Sequence, residues 1–280
     1  MPGRTPPKKW IDANRAWWDE RVPSHVRSEF YDLDTFRLGR DDLRPFEKDE
    51  LGVDPRGLDL LHLQCHLGTD TLSWAQRGAN VVGLDFSEPA VASATALARD
   101  LGIADRAEFV RSDVYDAVEA LGGRVFDIVY TGIGALTWLP DIDEWARVAA
   151  ALVKPGGVLY VVEIHPFLWP FDDTPEPELG FAYFGDVESD DAFGSYTDRA
   201  LATEHNHVFE HNWSIGPVIT AIVRAGLVIE LVGEHEAGVE QKWPFMVRGG
   251  DGFWYMPEDR PSIPQTWSVR ARKPEKSPSG

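Results

Sequence analysis

The feature that most narrows the fold of this 280-residue chain is an alternation of short apolar runs with helical patterns from residue 58 to residue 163. The run over 58–64 leads into a helical pattern over 68–77, which Gly78 stops. The run over 80–84 ends at Asp85. Ser87 is then a natural N-cap and Pro89 suits a first turn, so a helix is predicted over 88–100. Further strands are predicted at 107–111, 125–130 and 158–163, the last entered through the turn Lys154-Pro155-Gly156-Gly157. Helices are predicted over 114–121 and from Asp141 or Asp143 onward, where Trp145, Val148, Ala149 and Leu152 share one face. Such an alternation implies right-handed crossovers and a parallel sheet, because parallel neighbours cannot be joined by a tight turn. Ligands of such sheets sit at the carboxyl ends of the strands.

The alternation ends after Glu163. Residues 164–213 carry Pro166, Pro170, Pro175 and Pro177 among acids and aromatics, and read as a cap insertion too aromatic for a linker. Ser214 opens a helix to Arg224, and strands are predicted at 227–232 and 264–272, the pair forming an antiparallel edge. The stretch 236–263 between them is irregular and aromatic. Upstream, residues 10–50 read as helix in pieces: Trp10, Trp17 and Trp18 open it, Pro23 breaks it, and Asp41 caps a short helix ending near Gly52. The first nine residues and 273–280 read as tails. The expected division is a helical segment over 1–52, a main domain over 53–272 and a tail over 273–280.

Charge and cysteine usage exclude several classes. The chain has 46 Asp and Glu against 27 Lys and Arg, a net charge of −19, with no dense basic cluster. A nucleic acid partner is therefore not expected. The single cysteine, Cys65, cannot form an internal disulfide or a Cys-pair metal motif. No apolar run approaches the ~18 residues of a membrane span, so no membrane partner and a cytoplasmic location are expected. A homodimer is the default oligomer.

The turn after the first strand, Gln64-Cys65-His66-Leu67-Gly68-Thr69-Asp70, has one glycine where a pyrophosphate site needs three, and no basic side chain compensates. A ligand without phosphates is expected. Asp70, Asp85 and Asp113 follow three successive strands. Asp85 suits both hydroxyls of a ribose, and Asp113 suits an adenine amine with Val114 covering the ring. Each acid also reads as a plain helix cap; together they point to a nucleoside-like, cationic ligand.

Leu60-Leu61-His62-Leu63-Gln64-Cys65-His66-Leu67-Gly68, Gly83-Leu84-Asp85-Phe86-Ser87, Ser112-Asp113-Val114, Phe126-Asp127-Ile128-Val129-Tyr130 and Leu152-Val153-Lys154-Pro155-Gly156-Gly157, in this order, resemble a class I S-adenosylmethionine-dependent methyltransferase. The resemblance covers about residues 55–165 in motifs and extends to 272 in architecture. It implies a Rossmann-like, doubly wound, mostly parallel α/β sheet of about seven strands, the last pair antiparallel. The start Trp17-Trp18-Asp19-Glu20-Arg21-Val22-Pro23-Ser24-His25 resembles a small-molecule branch in which an N-terminal helical lid closes over the cofactor. The family's glycines are replaced here by Gln64 and His66. By resemblance the Gln64–His66 backbone, with Cys65, and Gly68 would face the methionine part, Asp85 the ribose, Phe86 and Ser87 the adenine, and Asp113 its amine. Trp18 and Asp70 would join them, and Thr131 and Gly132 would lie beneath the sulfonium.

Methyl transfer needs alignment, exclusion of water and, for some acceptors, a base. Glu163, ending the fifth strand, reads as that base or as an anchor for the following loop. His165 is the alternative base, and Tyr130 could orient an acceptor or simply fill the core. His205, His207 and His211 with Glu204 and Glu210 match no recognised metal spacing. No metal is expected, and His207 is a candidate acceptor contact or base. Trp169, Phe171, Trp213, Trp243 and Trp254 suggest an apolar acceptor site. The expected reaction transfers methyl from S-adenosylmethionine, releasing S-adenosylhomocysteine, to a small hydrophobic or aromatic acceptor, an indole-like carbon or nitrogen among them. A nicotinamide-dependent reductase and a non-catalytic cofactor-binding module are the alternatives.

Overall fold

The computed structural model describes residues 7–275. In chain order the elements are α1 (Lys8–Arg27), α2 (Leu33–Arg37), α3 (Pro45–Glu50), β1 (Asp59–Leu63), α4 (Thr69–Gln76), β2 (Asn80–Asp85), α5 (Glu88–Asp100), β3 (Ala107–Arg111), α6 (Ala117–Ala120) and β4 (Phe126–Thr131). They continue with α7 (Ile142–Leu152), β5 (Val153–Ile164), β6 (Gly185–Ser189), β7 (Val208–Asn212), α8 (Ile215–Arg224), β8 (Val228–His235), β9 (Val247–Arg248), β10 (Trp254–Tyr255) and β11 (Thr266–Arg272).

Seven strands form one sheet in the order β3-β2-β1-β4-β5-β11-β8. The first five run parallel, and β11 inserts antiparallel between β5 and β8. The last two strands therefore do pair antiparallel, but the final strand of the chain lies inside the sheet and β8 is the edge. β1 carries Leu60, Leu61 and Leu63 because both of its faces are covered. Leu61 and Leu63 pack with Val129, Trp145, Val148 and Trp267 on one face. Leu60 packs with Trp74, Val81, Ile128 and Tyr160 on the other. The strand order reverses between β1 and β4, which places the ligand crevice at their carboxyl ends.

Three expectations are corrected. Pro23 does not break the first helix but lies inside α1, a 20-residue helix. An interior proline costs about 3 kcal/mol. Tertiary contacts offset it: Asn14 Nδ2 donates to the Phe209 carbonyl at 2.8 Å, and the Phe209 N–H donates to Asn14 Oδ1 at 2.9 Å. The fully buried Arg21 donates to the carbonyls of Gly194 at 2.6 Å, Ala192 at 2.8 Å and His205 at 3.0 Å. Second, Asp41 does not cap α3: that helix starts at Pro45, and Asp41 instead binds Arg77 and Lys48. Third, the Lys154–Gly157 turn does not precede β5 but is absorbed within it, looping out between Val153, paired with Phe126, and Val158, paired with Ile128.

The expected tails are shorter than read from sequence. α1 begins at Lys8, and Lys273 donates through Nζ to the carbonyls of Ala150 and Val153, both at 2.8 Å. Residues 1–6 and 276–280 lie outside the described residues. The cap contains β6 and β7, paired antiparallel, and α1 packs on β7 and α5. No helix among the described residues is long and apolar enough to cross a membrane.

Candidate active site

The turn after β1 has three left-handed residues at alternate positions: Gln64 (φ 60°), His66 (φ 47°) and Gly68 (φ 75°). Only Gly68 adopts this without a Cβ penalty; the other two carry strain of about 1–2 kcal/mol each. A side chain at 68 would also collide, since its Cβ would stand 2.8 Å from the Phe109 ring. The strained turn is held from both sides. The His66 N–H donates to Asp85 Oδ2 at 2.8 Å, and Gln64 Nε2 donates to the Ala135 carbonyl in the loop after β4 at 2.9 Å. Cys65 is buried, its N–H bonded to the Leu84 carbonyl at 3.0 Å and its thiol pushed well up by burial.

Asp85 ends β2 and is 6% exposed. Its Oδ1 accepts the Ser87 N–H at 2.9 Å. Burial, with Asp19 and Asp113 nearby, pushes its carboxyl up to about 6, against the pull of its two backbone donors. Ser87 caps α5, and Phe86 lies half-buried between them. Asp113 accepts the Tyr115 N–H at 2.9 Å beside buried Val114, and burial raises its carboxyl as well. Asp113 is thus a cap, as its plain reading expects, whereas Asp85 leaves the capping of α5 to Ser87, and both acids are acceptors at the ends of β2 and β3.

Four buried polar atoms near the ends of β1 and β4 or facing them from α1 have no partner: Asp19 Oδ1, His62 Nε2, Gln64 Oε1 and Thr131 Oγ1. His62 donates or accepts at Thr71 Oγ1, 2.7 Å away, through its other nitrogen, and burial lowers it to about 4, so it is neutral. Gly132 borders the same spot: a Cβ there would lie 3.1 Å from Asp70 Oδ2 and 3.2 Å from His62 Nε2. Trp18 reaches over from α1, its ring centroid 4.9 Å from that of His66 and 5.2 Å from that of Trp138.

Behind this crevice lies a polar cluster absent from the sequence reading. Arg44 donates to Asp70 Oδ2 at 3.0 Å, to the Tyr130 hydroxyl at 2.7 Å and to Glu47; Tyr130 in turn donates to Glu47 Oε2 at 2.8 Å. Burial would depress the Arg44 guanidinium, but Asp70 and Glu47 hold it well above its ordinary value. Only the Arg-x-x-Glu spacing at the start of α3 hinted at Arg44 and Glu47. Tyr130 therefore has its hydroxyl committed within this cluster.

Glu163 is 4% exposed, and both its oxygens are engaged. Oε1 accepts from Gly134 at 2.6 Å and Ile164 at 2.7 Å, and Oε2 accepts from Leu136 at 2.9 Å. Burial raises its carboxyl while these donors lower it. This is the geometry of an anchor for the loop after β4. His165 Nδ1 accepts the Phe167 N–H at 3.1 Å, and Nε2 then carries the proton and donates to Glu234 at 2.9 Å. His207 sits on the cap, bonded to Asp190 and to Glu188 at 3.3 Å, and none of its bonds reaches the strand ends. Among the described residues no group of three or more His, Cys, Asp or Glu could hold a metal.

The partnerless atoms are the acceptors Asp19 Oδ1 and Gln64 Oε1, the Thr131 hydroxyl and one imidazole nitrogen of His62, and Arg44 is spent on Glu47 and Asp70. Such a site suits hydroxyl, amine and ammonium donors and is wrong for a pyrophosphate. The chemistry of a sulfonium nucleoside with an amino-acid tail fits it.

Residues 61–159 match a family model described as a methyltransferase domain. A ubiquinone biosynthesis O-methyltransferase of Methylobacterium sp. is 30% identical over 151 residues, 54% of this chain and 59% of that relative. The match thus spans less than two thirds of the relative's length. The solved S-adenosylmethionine-dependent methyltransferase from Mesorhizobium loti superposes with a TM-score of 0.54 at 20% identity, over 81% of this chain and 97% of its own. One from Methanosarcina mazei gives 0.55 at 18% identity, over 84% and 100%. At these identities the likeness establishes the fold. Residues 61–159 thus match a methyltransferase domain, and the solved S-adenosylmethionine-dependent methyltransferases share the fold around it.

Proposed function

We propose that this protein binds S-adenosylmethionine and transfers its methyl group to a small hydrophobic or aromatic acceptor. The observation that carries this reading is the set of unpartnered buried polar atoms around the left-handed turn after β1, Asp19 Oδ1 and Gln64 Oε1 among them as acceptors, in a chain that matches a methyltransferase domain. Asp85 would hold the ribose hydroxyls, Asp113 the adenine amine beside Phe86 and Val114, and Gln64 and Asp19 the ammonium. When bound, the cofactor supplies a methyl carbon already activated by its sulfonium.

The chain's own part is alignment and exclusion of water. Glu163 fixes the loop that carries Thr131 and Gly132, and Gln64 ties that loop to the β1 turn. Residues 1–52 act as the lid and 164–213 as the cap, with Trp18 and Trp138 walling the crevice. The acceptor we favour is an aromatic molecule methylated on oxygen, in keeping with the relative's name. The aromatic wall also suits an indole-like carbon or nitrogen. We further propose a cytoplasmic homodimer.

Titration calorimetry with S-adenosylmethionine and S-adenosylhomocysteine, NAD and NADP as controls and Asp85→Ala as the site variant, tests the reading. Micromolar binding, about −8 kcal/mol, lost in the variant, supports it. Binding of a nicotinamide dinucleotide alone overturns it. Radiolabelled transfer to paired phenol and indole panels then decides the acceptor atom.

A further inference from the structure

Resting on the cofactor reading above, we propose that the His66 imidazole binds the α-carboxylate of the cofactor's amino-acid tail, donating through Nδ1, with His25 and Ser195 supporting that tautomer through a hydrogen-bonded line. The three side chains come from different parts of the chain: His66 from the turn after β1, His25 from α1 and Ser195 from the cap. They form one hydrogen-bonded line. His66 Nε2 lies 2.9 Å from His25 Nδ1, and His25 Nε2 lies 2.7 Å from Ser195 Oγ. His25 is fully buried and Ser195 nearly so, whereas His66 is half-buried. The line therefore has a closed end at Ser195 and an open end at His66, whose Nδ1 has no hydrogen-bond partner among the described residues.

The closed end accommodates either direction of donation. The Thr197 N–H donates to Ser195 Oγ at 3.2 Å, and the Thr197 hydroxyl lies 3.1 Å from the same oxygen. A carboxylate at His66 Nδ1 selects the direction in which the Thr197 hydroxyl also donates to Ser195 Oγ and the Ser195 proton goes to His25 Nε2. His25 Nδ1–H then donates to His66 Nε2, and His66 presents Nδ1–H. Burial keeps His25 neutral, at about 4, which the single-proton line requires. Trp18, Tyr31 and Tyr196 pack around the two imidazoles and hold their planes.

Charge explains why the carboxylate is the group that needs this donor. Asp19 and Asp113 both act on Asp85 across the crevice. They suit the hydroxyls, amine and ammonium but repel a carboxylate. Arg44 is neutralised by Glu47 and Asp70. An imidazole in place of a family glycine adds a donor without adding another fixed charge.

The test is calorimetry on the full chain with two probes: S-adenosylhomocysteine, and S-adenosyl-3-thiopropylamine, which keeps the nucleoside, thioether and ammonium but lacks the carboxylate. The variant is His66→Gly, because glycine accepts the left-handed φ and removes only the imidazole. Thermal melting confirms that it folds. We expect S-adenosylhomocysteine to bind about 10–100-fold more weakly to the variant, the range of a hydrogen bond to a charged group. The amine probe should change less than about twofold, since it makes no such bond. Equal loss for both probes, or loss for neither, overturns the carboxylate assignment while leaving the cofactor reading intact. Failure of the unsubstituted protein to bind either probe overturns the cofactor reading itself, and this assignment with it.

Discussion

Asp85 Oδ2 accepts the backbone N–H of His66 at 2.8 Å, so the acid ending β2 also pins the strained turn after β1. Asp85 keeps its carboxylate at neutral pH at a structural cost. Its carboxyl is raised from 3.8 to about 6, first by burial and then by Asp19 and Asp113. A group whose folded value is raised binds more protons in the folded state. Its contribution is therefore fully present below about pH 4 and is lost as pH rises through about 6.

At neutral pH this cost is roughly 3 kcal/mol. Asp85→Asn removes it but loses one of two backbone acceptor bonds, worth about 1 kcal/mol. The variant should be more stable than the parent by about 2 kcal/mol at pH 7.5, and less stable than the parent below pH 4, while binding cofactor poorly. Melting curves across pH check this; a variant less stable at both ends would contradict it.

Glu163 holds three backbone N–H groups. Glu163→Ala leaves them buried and unpaired, so unfolding free energy should fall by about 3 kcal/mol or more. Glu163→Gln keeps one good acceptor and should lose less. If Glu163 were only a base, the glutamine variant would keep parental stability and cofactor affinity while losing turnover. We expect both stability and affinity to drop, measured by urea denaturation and calorimetry.

Arg44 faces Glu47 and Asp70 in a buried cluster. Arg44→Met leaves two carboxylates uncompensated and should cost about 3–5 kcal/mol. Adding Glu47→Gln should recover part of that loss, because one stranded charge goes with it. A double variant no more stable than the single one in urea would mean that packing, not charge, dominates.

Asn14 and Arg21 join α1 to the cap through backbone groups of Phe209, Gly194, Ala192 and His205. Lid and cap should therefore respond to cofactor as one unit. Hydrogen exchange in α1 and β7 should slow together on adding S-adenosylhomocysteine, and Asn14→Ala should raise exchange in both. Protection confined to α1 would separate them.

Local patterning made much of this protein readable. The helix over 88–100 and the strand over 107–111 match the structure to the residue, because Ser87, Pro89 and alternating burial act within a few residues. Asp85, Asp113 and Gly68 were visible for the same reason: each sits where a strand passes into a turn. Pro23 misled, since contacts of Asn14 and Arg21 with residues far along the chain hold the helix through it. Glu163 and His165 stood out as candidate bases at the end of the fifth strand, but their partners follow from how β4, β5 and β8 are laid side by side.

The sequence alone determined the sheet, its parallel sense and the strand ends at which a nucleoside-like ligand belongs, because hydrophobic period and turn chemistry are local. Only the tertiary structure decided which polar atoms have partners. Gln64 and His66 look like lost glycines in the chain, yet both take the glycine conformation once Asp85, Ala135 and His25 supply bonds from other elements. Hydrogen bonds between residues tens of positions apart leave no periodic trace, so the site's electrostatics emerge only when the chain is folded.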